Sequence, residues 1–273
     1  MTRAGRQPMV SVITVVRDGM PFIEANLASV RAQTWPHIEH VVVDGGSTDG
    51  TVERIRAAES SLAFWVSEVD SGIADAFNKG IVRARGDYLL FLNADDRLAS
   101  PDVVALIAQD IAATGWPELI YGDCRILERG TVHVRYVARV LFEPGAFRRG
   151  ATLPHPSLFM HKSYFERFGL YDTSFRVAMD FELLLRGATS VRLVRVPRVV
   201  TDVSDGGVSV TSEARGIEEI ARAMRKNGVL SSDATEWAAR VYFHARRRMR
   251  RALQATGLYP LLEKLRPARG TRA

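Results

Sequence analysis

The feature that most restricts this chain is an alternation in its first half. Short runs of β-branched and aromatic residues take turns with longer segments whose apolar residues recur at helical spacing. Val10 to Val16 reads as a first strand, and Phe22 to Ala32 as a helix with Ile23, Leu27 and Val30 on one face. Glu39 to Asp44 reads as a second strand, followed by a helix from Thr48 to Ala58 with Ser47 or Thr48 as its cap and Val52 and Ile55 facing inward. Phe64 to Glu68 is a third strand, Ile73 to Ala84 a third helix, and Asp87 to Leu92 a strongly apolar fourth strand. Strands buried on both faces and separated by helices predict an α/β fold with a mostly parallel central sheet and helices on both faces.

Pro101 to Thr114 continues as a helix from a Ser-Pro start, and Leu119 to Tyr121 resumes strand character. The pattern then loosens. Arg125 to Val140 alternates like a hairpin, and Pro144, Gly145, Gly150, Pro154 and Pro156 mark loops. Ser163 to Phe168 and Met179 to Arg186 read as helices, and Val191 to Val200 as a late strand. Beyond Gly207 the sequence predicts a helical basic extension with helices at Glu213 to Lys226 and Asp233 to Leu253. On the second helix Trp237, Val241, Ala245 and Met249 form an apolar row, with Arg240, Arg247 and Arg251 on an exposed basic side.

With 47% hydrophobic and 25% charged residues in 273, the chain has ordinary globular composition, which counts against extensive disorder. Its one cysteine, Cys124, cannot form an internal disulfide and reads as a packed thiol. No apolar run is long enough for a membrane span, so the chain is expected to be cytoplasmic or held peripherally at the cytoplasmic face of the membrane. The formal net charge of +6 is gathered largely in the run 246–251 and in the tail from Lys264 to Arg272. An arginine-rich helix with an apolar face suits an anionic bilayer better than nucleic acid, and no nucleic-acid partner is expected. A solvated helix packed on the rest of the chain is the alternative.

Three polar segments carry the chemistry. Asp44-Gly45-Gly46-Ser47-Thr48-Asp49-Gly50-Thr51 follows a buried strand, and glycines there let backbone approach a ligand beyond the carboxyl ends of the sheet. A plain capped turn would need one or two of these residues but hardly all. Asp70-Ser71-Gly72 leads into a helix on which Asp75, Asn78 and Lys79 lie off the apolar side, lining a cleft or facing water. Asn93-Ala94-Asp95-Asp96-Arg97 ends the fourth strand. Two adjacent carboxylates at the mouth of a buried strand repel unless a cation or hydrogen-bond donors compensate, and a hard divalent ion such as Mg2+ or Mn2+ would do so. An exposed acidic turn is the simpler alternative for the pair taken alone.

These elements in this order resemble the inverting family 2 glycosyltransferases of the GT-A, Rossmann-like fold, and in particular bacterial members that build surface polysaccharides and glycolipids. The resemblance runs from about Met9 to Ser209. It implies a catalytic domain over 1–209, with a nucleotide-sugar half near 9–123 and an acceptor half near 124–209, followed by the extension over 210–273. It implies that Asp44 contacts the base, with Thr14, Val15 and Arg17 bordering the same pocket, and that Asp70, Asn78 and Lys79 lie along the nucleotide-sugar. Asp95 and Asp96 then form the acidic metal motif, with Asp96 the direct ligand of Mn2+ or Mg2+. The donor would be a UDP-, GDP- or dTDP-sugar and the acceptor a sugar or lipid-linked sugar.

The acceptor hydroxyl must lose a proton, and Ala178-Met179-Asp180-Phe181-Glu182 resembles the family's catalytic-base motif, with Asp180 as the base. Met179 stands where many relatives carry Glu. Asp180 could instead be an N-cap, with Glu182 or Asp172 as the base. His155 resembles part of a loop that reaches acceptor or diphosphate, and Asp123 a strand-end residue near the donor sugar. Asp205 to Ser209 reads as a loop able to close over phosphates, or as a turn. Two other readings compete: a sugar-nucleotide pyrophosphorylase, which would need a glycine-rich loop with Arg and Lys after the first strand, and a non-enzymatic membrane- or nucleic-acid-binding module.

Overall fold

The computed structural model describes residues 6–128, 131–132, 153–187, 189–204 and 212–256. The strands are β1 (Val10–Val16), β2 (Ile38–Asp44), β3 (Phe64–Ser67), β4 (Tyr88–Asn93), β5 (Arg97–Leu98), β6 (Leu119–Glu128), β7 (Thr131–Val132), β8 (Leu158–His161) and β9 (Leu193–Ser204). The helices are α1 (Ile23–Arg31), α2 (Thr51–Ala57), α3 (Ile73–Arg83), α4 (Val103–Ala113), α5 (Lys162–Phe168), α6 (Met179–Gly187), α7 (Glu213–Lys226) and α8 (Asp233–Ala255). One sheet runs in the order β3-β2-β1-β4-β8-β6-β9-β5, with β7 paired to β6. Neighbours among β3, β2, β1 and β4 are parallel, as are β6 and β9, whereas β8, β5 and β7 run antiparallel to theirs. The expected mostly parallel sheet is therefore present.

Alternate strand residues feed opposite faces. Ile13, Val15, Val43, Leu89 and Phe91 join a core with α3, α5, α6 and α7. Val10, Val12, Tyr88, Leu90 and Leu92 join another with α1 and α4, while Val16 and Val42 pack on α1 and α2. Residues with such full burial on both sides read as continuous apolar runs, which is why the first four strands were legible.

Elsewhere the elements differ from expectation for local reasons. Helix α2 starts three residues late, at Thr51, because Ser47 and Thr48 do not cap it. Ser47 Oγ accepts from Asp18 N at 2.7 Å, and Thr48 N donates to Asp18 Oδ1 at 2.9 Å. Strand β9 runs on to Ser204 because its polar end is paired. Thr201 Oγ1 lies 3.1 Å from Cys124 Sγ, and Asp202 accepts from Arg97 at 3.2 Å and Arg125 at 2.5 Å. Strand β8 is four buried residues without alternation behind two prolines, and so escapes a periodicity argument. Of the expected hairpin, β6 and β7 pair through Leu127 and Val132. Its remainder, like the 205–209 loop, lies outside the described residues.

The change in sequence character after Gly207 is not a gap in packing. Ile217, Ala223 and Met224 of α7 belong to the same buried cluster as Phe181 and Leu184 of α6. Helix α8 lies against α7 with its sides reversed from expectation. Phe243 is buried, and Arg240, His244 and Arg247 turn to Glu218 and Glu213, whereas Trp237, Val241 and Met249 are exposed. The burial of Phe243 and the ion pairs with Glu213 and Glu218 together set which side of α8 faces α7.

Helix α3 lies close on β1, and the contact depends on Gly80, where a β-carbon would collide with Ile13 Cγ2. In an open helix, replacing glycine by alanine stabilises by about 1 kcal/mol. Here Ile13 is fully buried in the central strand and cannot move aside. Gly80→Ala should destabilise by about 1–3 kcal/mol in denaturant melts; an unchanged or raised midpoint would contradict this packing.

Candidate active site

The parallel register puts Val16 beside Asp44 and Val15 beside Asn93, so the carboxyl ends of β2, β1 and β4 open together. Helices α1 and α2 cover one face and α3 the other. The chain path therefore reverses between β1 and β4, and open α/β sheets bind ligands in the crevice at such a switch point. A separate depression of about 340 Å³ lined by Glu118, Ser163, Glu166 and Val191 lies at the opposite, amino ends of β6 and β9.

The acidic pair sits in a tight turn at the end of β4. Asp96 N donates to Asn93 O at 3.0 Å, and the Asn26 side-chain amide of α1 donates to both Asn93 O and Asp96 O at 2.9 Å. Asn26 Oδ1 in turn accepts from the Thr14 hydroxyl at 3.1 Å, which lies 2.9 Å from His40 Nε2. Burial lowers the His40 pKa to about 3, so this ring is neutral.

Asp96 is 2% exposed. Burial and the charge of Asp95 push its carboxyl up to about 7, despite hydrogen bonds from Ser204 N at 3.3 Å and Asn93 Nδ2 at 3.2 Å. Burial raises Asp95 as well. Among the described residues no Lys, Arg or His pairs with either carboxylate. Beside them the buried Asn93 Oδ1 has no hydrogen-bond partner among the described residues. A cluster of acceptor oxygens without a cation fits a hard divalent ion. No group of three acidic, His or Cys ligands forms among the described residues, which suits Mg2+ or Mn2+ completing its shell with water and phosphate.

The glycine-rich turn after β2 is more self-contained than its sequence implies. Asp44 is wholly buried and accepts from Gly46 N and Ser47 N at 3.0 Å, from Ser67 Oγ at 2.6 Å and from Ser47 Oγ. Asp49 accepts from Met20 N at 2.9 Å and Thr51 Oγ1 at 2.6 Å, while Thr51 Oγ1 accepts from Gly19 N at 2.8 Å. The polar residues of this turn clasp the β1–α1 loop, so a structural role does engage nearly all of them. Thr14 and Val15 are buried within β1 and direct no side chain to the crevice. The groups that meet beyond the strand ends are Arg17, exposed, and Asp70, whose carboxylate lies where a β-carbon on Gly45 would be.

Asn78 has another task. Its amide donates to Tyr171 O and accepts from Tyr171 N, both at 2.9 Å, tying α3 to the loop before α6. Lys79 pairs with Glu68 at 2.7 Å and Asp75 at 3.6 Å. Asp123 is held by Arg195 at 2.8 and 3.0 Å.

On the α3 face, Asp180 opens α6. The backbone amides ahead of that helix are capped from α7: Glu219 accepts from Arg176 N, Val177 N and Ala178 N at 2.7–3.0 Å. Asp180 is thus not the N-cap, although its Oδ1 accepts from Phe181 N at 2.7 Å. Burial with no compensating cation raises Asp180 to about 6. Its charge acts on the buried Tyr171 hydroxyl, which lies 2.8 Å from His155 Nε2. Burial holds His155 near 4, hence neutral, and its ring stacks on Phe91 of β4 at 5.1 Å.

The rival bases are occupied. Glu182 is wholly buried and bound by Arg186 and by Lys226 at 2.9 Å; burial opposes its ionisation, but these cations hold it below its ordinary range. It therefore cannot reach an acceptor. Asp172 pairs with Lys226 at 2.6 Å. Sequence reasoning missed Asn26, Tyr171 and Glu219. The signal for Asn26 was an amide on the same buried face as Ile23, Leu27 and Val30; a lone Tyr or Glu offers none.

Against known proteins, the family described as Glycosyl transferase family 2 matches residues 11–161, the span from β1 through β8. A Mycobacterium tuberculosis protein named as an uncharacterized glycosyltransferase is 34% identical over 212 residues, covering 77% of this chain and 80% of its own. A PGL/p-HBAD biosynthesis glycosyltransferase of Mycobacterium bovis is 32% identical over 190 residues, 68% of this chain and 72% of its own. Among solved structures, the mannosyltransferase PcManGT of Pyrobaculum calidifontis, in complex with GDP-Man and Mn2+, superposes with a TM-score of 0.61 at 22% identity over 94% of this chain and 81% of that one. That likeness bears on the fold, and it agrees with the GT-A expectation. The pyrophosphorylase and binding-module readings fall away. With a match spanning more than half its length and relatives a third identical along most of theirs, this chain is a glycosyltransferase and belongs to glycosyl transferase family 2.

Proposed function

We propose that the chain moves a sugar from a nucleoside-diphosphate sugar to an acceptor hydroxyl with inversion, with a divalent cation at Asp95 and Asp96 and Asp180 as general base. The observation that carries this reading is the acidic pair at the switch point, Asp96 buried and Asp95 half-buried, both raised in pKa and lacking a cation among the described residues. Asp96, with Asp95, would hold Mn2+ or Mg2+, which supplies Lewis-acid stabilisation of the leaving diphosphate. Arg17 and Asp70 lie where the nucleotide would pass, and Asp44 shapes that floor. Asp180 takes the acceptor's proton. With its pKa near 6 it is ionised at neutral pH yet more basic than a solvated carboxylate, the balance a general base needs. The neutral His155 and Tyr171 keep opposite charge away from it and so preserve that basicity.

The donor base stays open among UDP, GDP and dTDP; a structural relative bound to GDP-Man and Mn2+ supports a nucleotide-sugar with a metal. The acceptor in this reading is a sugar or lipid-linked sugar of the cell envelope, and the relative named as a PGL/p-HBAD biosynthesis glycosyltransferase supports it.

Transfer from UDP-, GDP- and dTDP-sugars with saturating Mn2+ tests the assignment. Asp96→Asn should abolish metal-dependent turnover while the protein stays folded with a metal-free midpoint no lower than the wild type's, and full activity would remove it from the metal role.

A base works only when deprotonated, so kcat/KM should rise tenfold per pH unit below about 6 and level off above it. Asp180→Asn should retain donor binding but lose transfer by about 10²–10⁴-fold. Folding raises the Asp180 pKa from 3.8 to about 6, so proton binding favours the fold at low pH and that contribution is lost between pH 4 and 6. At pH 8 Asp180→Asn should accordingly be more stable than the wild type by up to about 3 kcal/mol. An active, less stable variant would contradict both roles.

A further inference from the structure

Helix α8 presents a surface that the transfer reaction does not use. Trp237 is 68% exposed and Met249 61%, and Val241 and Tyr242 are exposed with them. These side chains lie on the side of the helix away from α7. Phe243 packs inward, while Arg240 pairs with Glu218 at 3.0 Å and Arg247 with Glu213 at 2.8 Å. The arginine row expected to face outward is thus partly neutralised inside, and the apolar row is left exposed among the described residues. Arg248, also exposed, follows Val241 by seven residues and Ala245 by three, so it stands in that same outward row.

The charge of this segment selects its partner. From Trp237 to Thr256 the sequence holds Arg240, Arg246, Arg247, Arg248, Arg250 and Arg251 and not one Asp or Glu. A second copy of the chain docked through a two-fold axis would set this surface against itself, with the exposed Asp233 at the start of α8 the one fully exposed carboxylate of the helix to offset six arginines. An anionic bilayer offers what the surface lacks. Its headgroups meet the arginines, and its acyl boundary accepts Trp237, Val241 and Met249, with the amphipathic Trp and Tyr rings at the interface. No described helix is long and apolar enough to cross a membrane, so such a contact would be in-plane.

We infer that α8 docks in the plane of an anionic lipid surface through its Trp237–Val241–Met249 side, with Arg248 at the headgroups. The contact is independent of the catalytic reading, since it uses none of those residues, and vesicle binding can fail or succeed whatever the transfer assay gives.

Flotation of the full chain with vesicles tests it. The protein should float with phosphatidylcholine vesicles containing about 30% phosphatidylglycerol and not with phosphatidylcholine alone, and about 0.5 M NaCl should weaken the binding. Trp237→Ser with Met249→Ser should reduce flotation at least about tenfold while the melting temperature holds, because both side chains are exposed. Brominated lipid should quench wild-type tryptophan emission and spare the Trp237→Ser variant. No flotation on anionic vesicles would overturn the inference, as would undiminished flotation of the double variant. So would a concentration-dependent dimer that the double variant dissolves, which would give the surface to a second copy.

Discussion

The amide of Asn26 sets the geometry on which the catalytic turn depends. One side chain from α1 donates both of its hydrogens, to Asn93 O and Asp96 O, and its oxygen accepts from Thr14 in the central strand. Two carboxylates on consecutive residues would otherwise drive such a turn open toward water. Held from behind through its carbonyls, the turn keeps Asp96 buried and its charge uncompensated, and a buried unpaired charge is costly enough to demand a counter-ion. The stability forgone at this point is what makes the site receptive to a cation.

The acceptor side uses the opposite device. Around Asp180 every neighbouring acid is tied to a cation or to backbone: Glu182 to Arg186 and Lys226, Asp172 to Lys226, Glu219 to the amides ahead of α6. Asp180, half-buried, accepts a local hydrogen bond from Phe181 N and pairs with no cation among the described residues. Helix α7 supplies Glu219 and Lys226, so a segment beyond the family match builds the setting of the base. Asn78 and Arg176 then join the two halves, through the Tyr171 backbone and the Ser71 carbonyl.

Much of the fold was legible because its first four strands are buried on both faces and their helices carry apolar rows, so that β1, β2, β4, α1 and α3 fell within a residue or two of expectation. Strand β8 was not, since four buried residues have no period of their own. Helix α8 misled for an instructive reason: Arg240 and Arg247 were read as part of an exposed basic side, whereas Glu218 and Glu213 on a neighbouring helix pair with them. At the site, the residue types of Asp95, Asp96 and Asp180 were visible, but the burial of Asp96 and the partial burial of the other two were not. Sequence cannot say which carboxylates of a polar segment find donors, and that distinction separates Asp44, Asp123 and Glu182, fully engaged by the protein, from Asp96 and Asp180.

Among the described residues the Asp95–Asp96 turn has no cation partner, and in the proposed mechanism the cation arrives with the nucleotide-sugar. Thermal melting of the protein with Mn2+ alone, with each of several UDP-, GDP- and dTDP-sugars alone, and with both together measures this most directly. One nucleotide-sugar with Mn2+ should raise the midpoint by more than the two separate shifts combined, and Asp96→Asn should remove the excess. Shifts that merely add, or an excess that survives in Asp96→Asn, would contradict that mechanism.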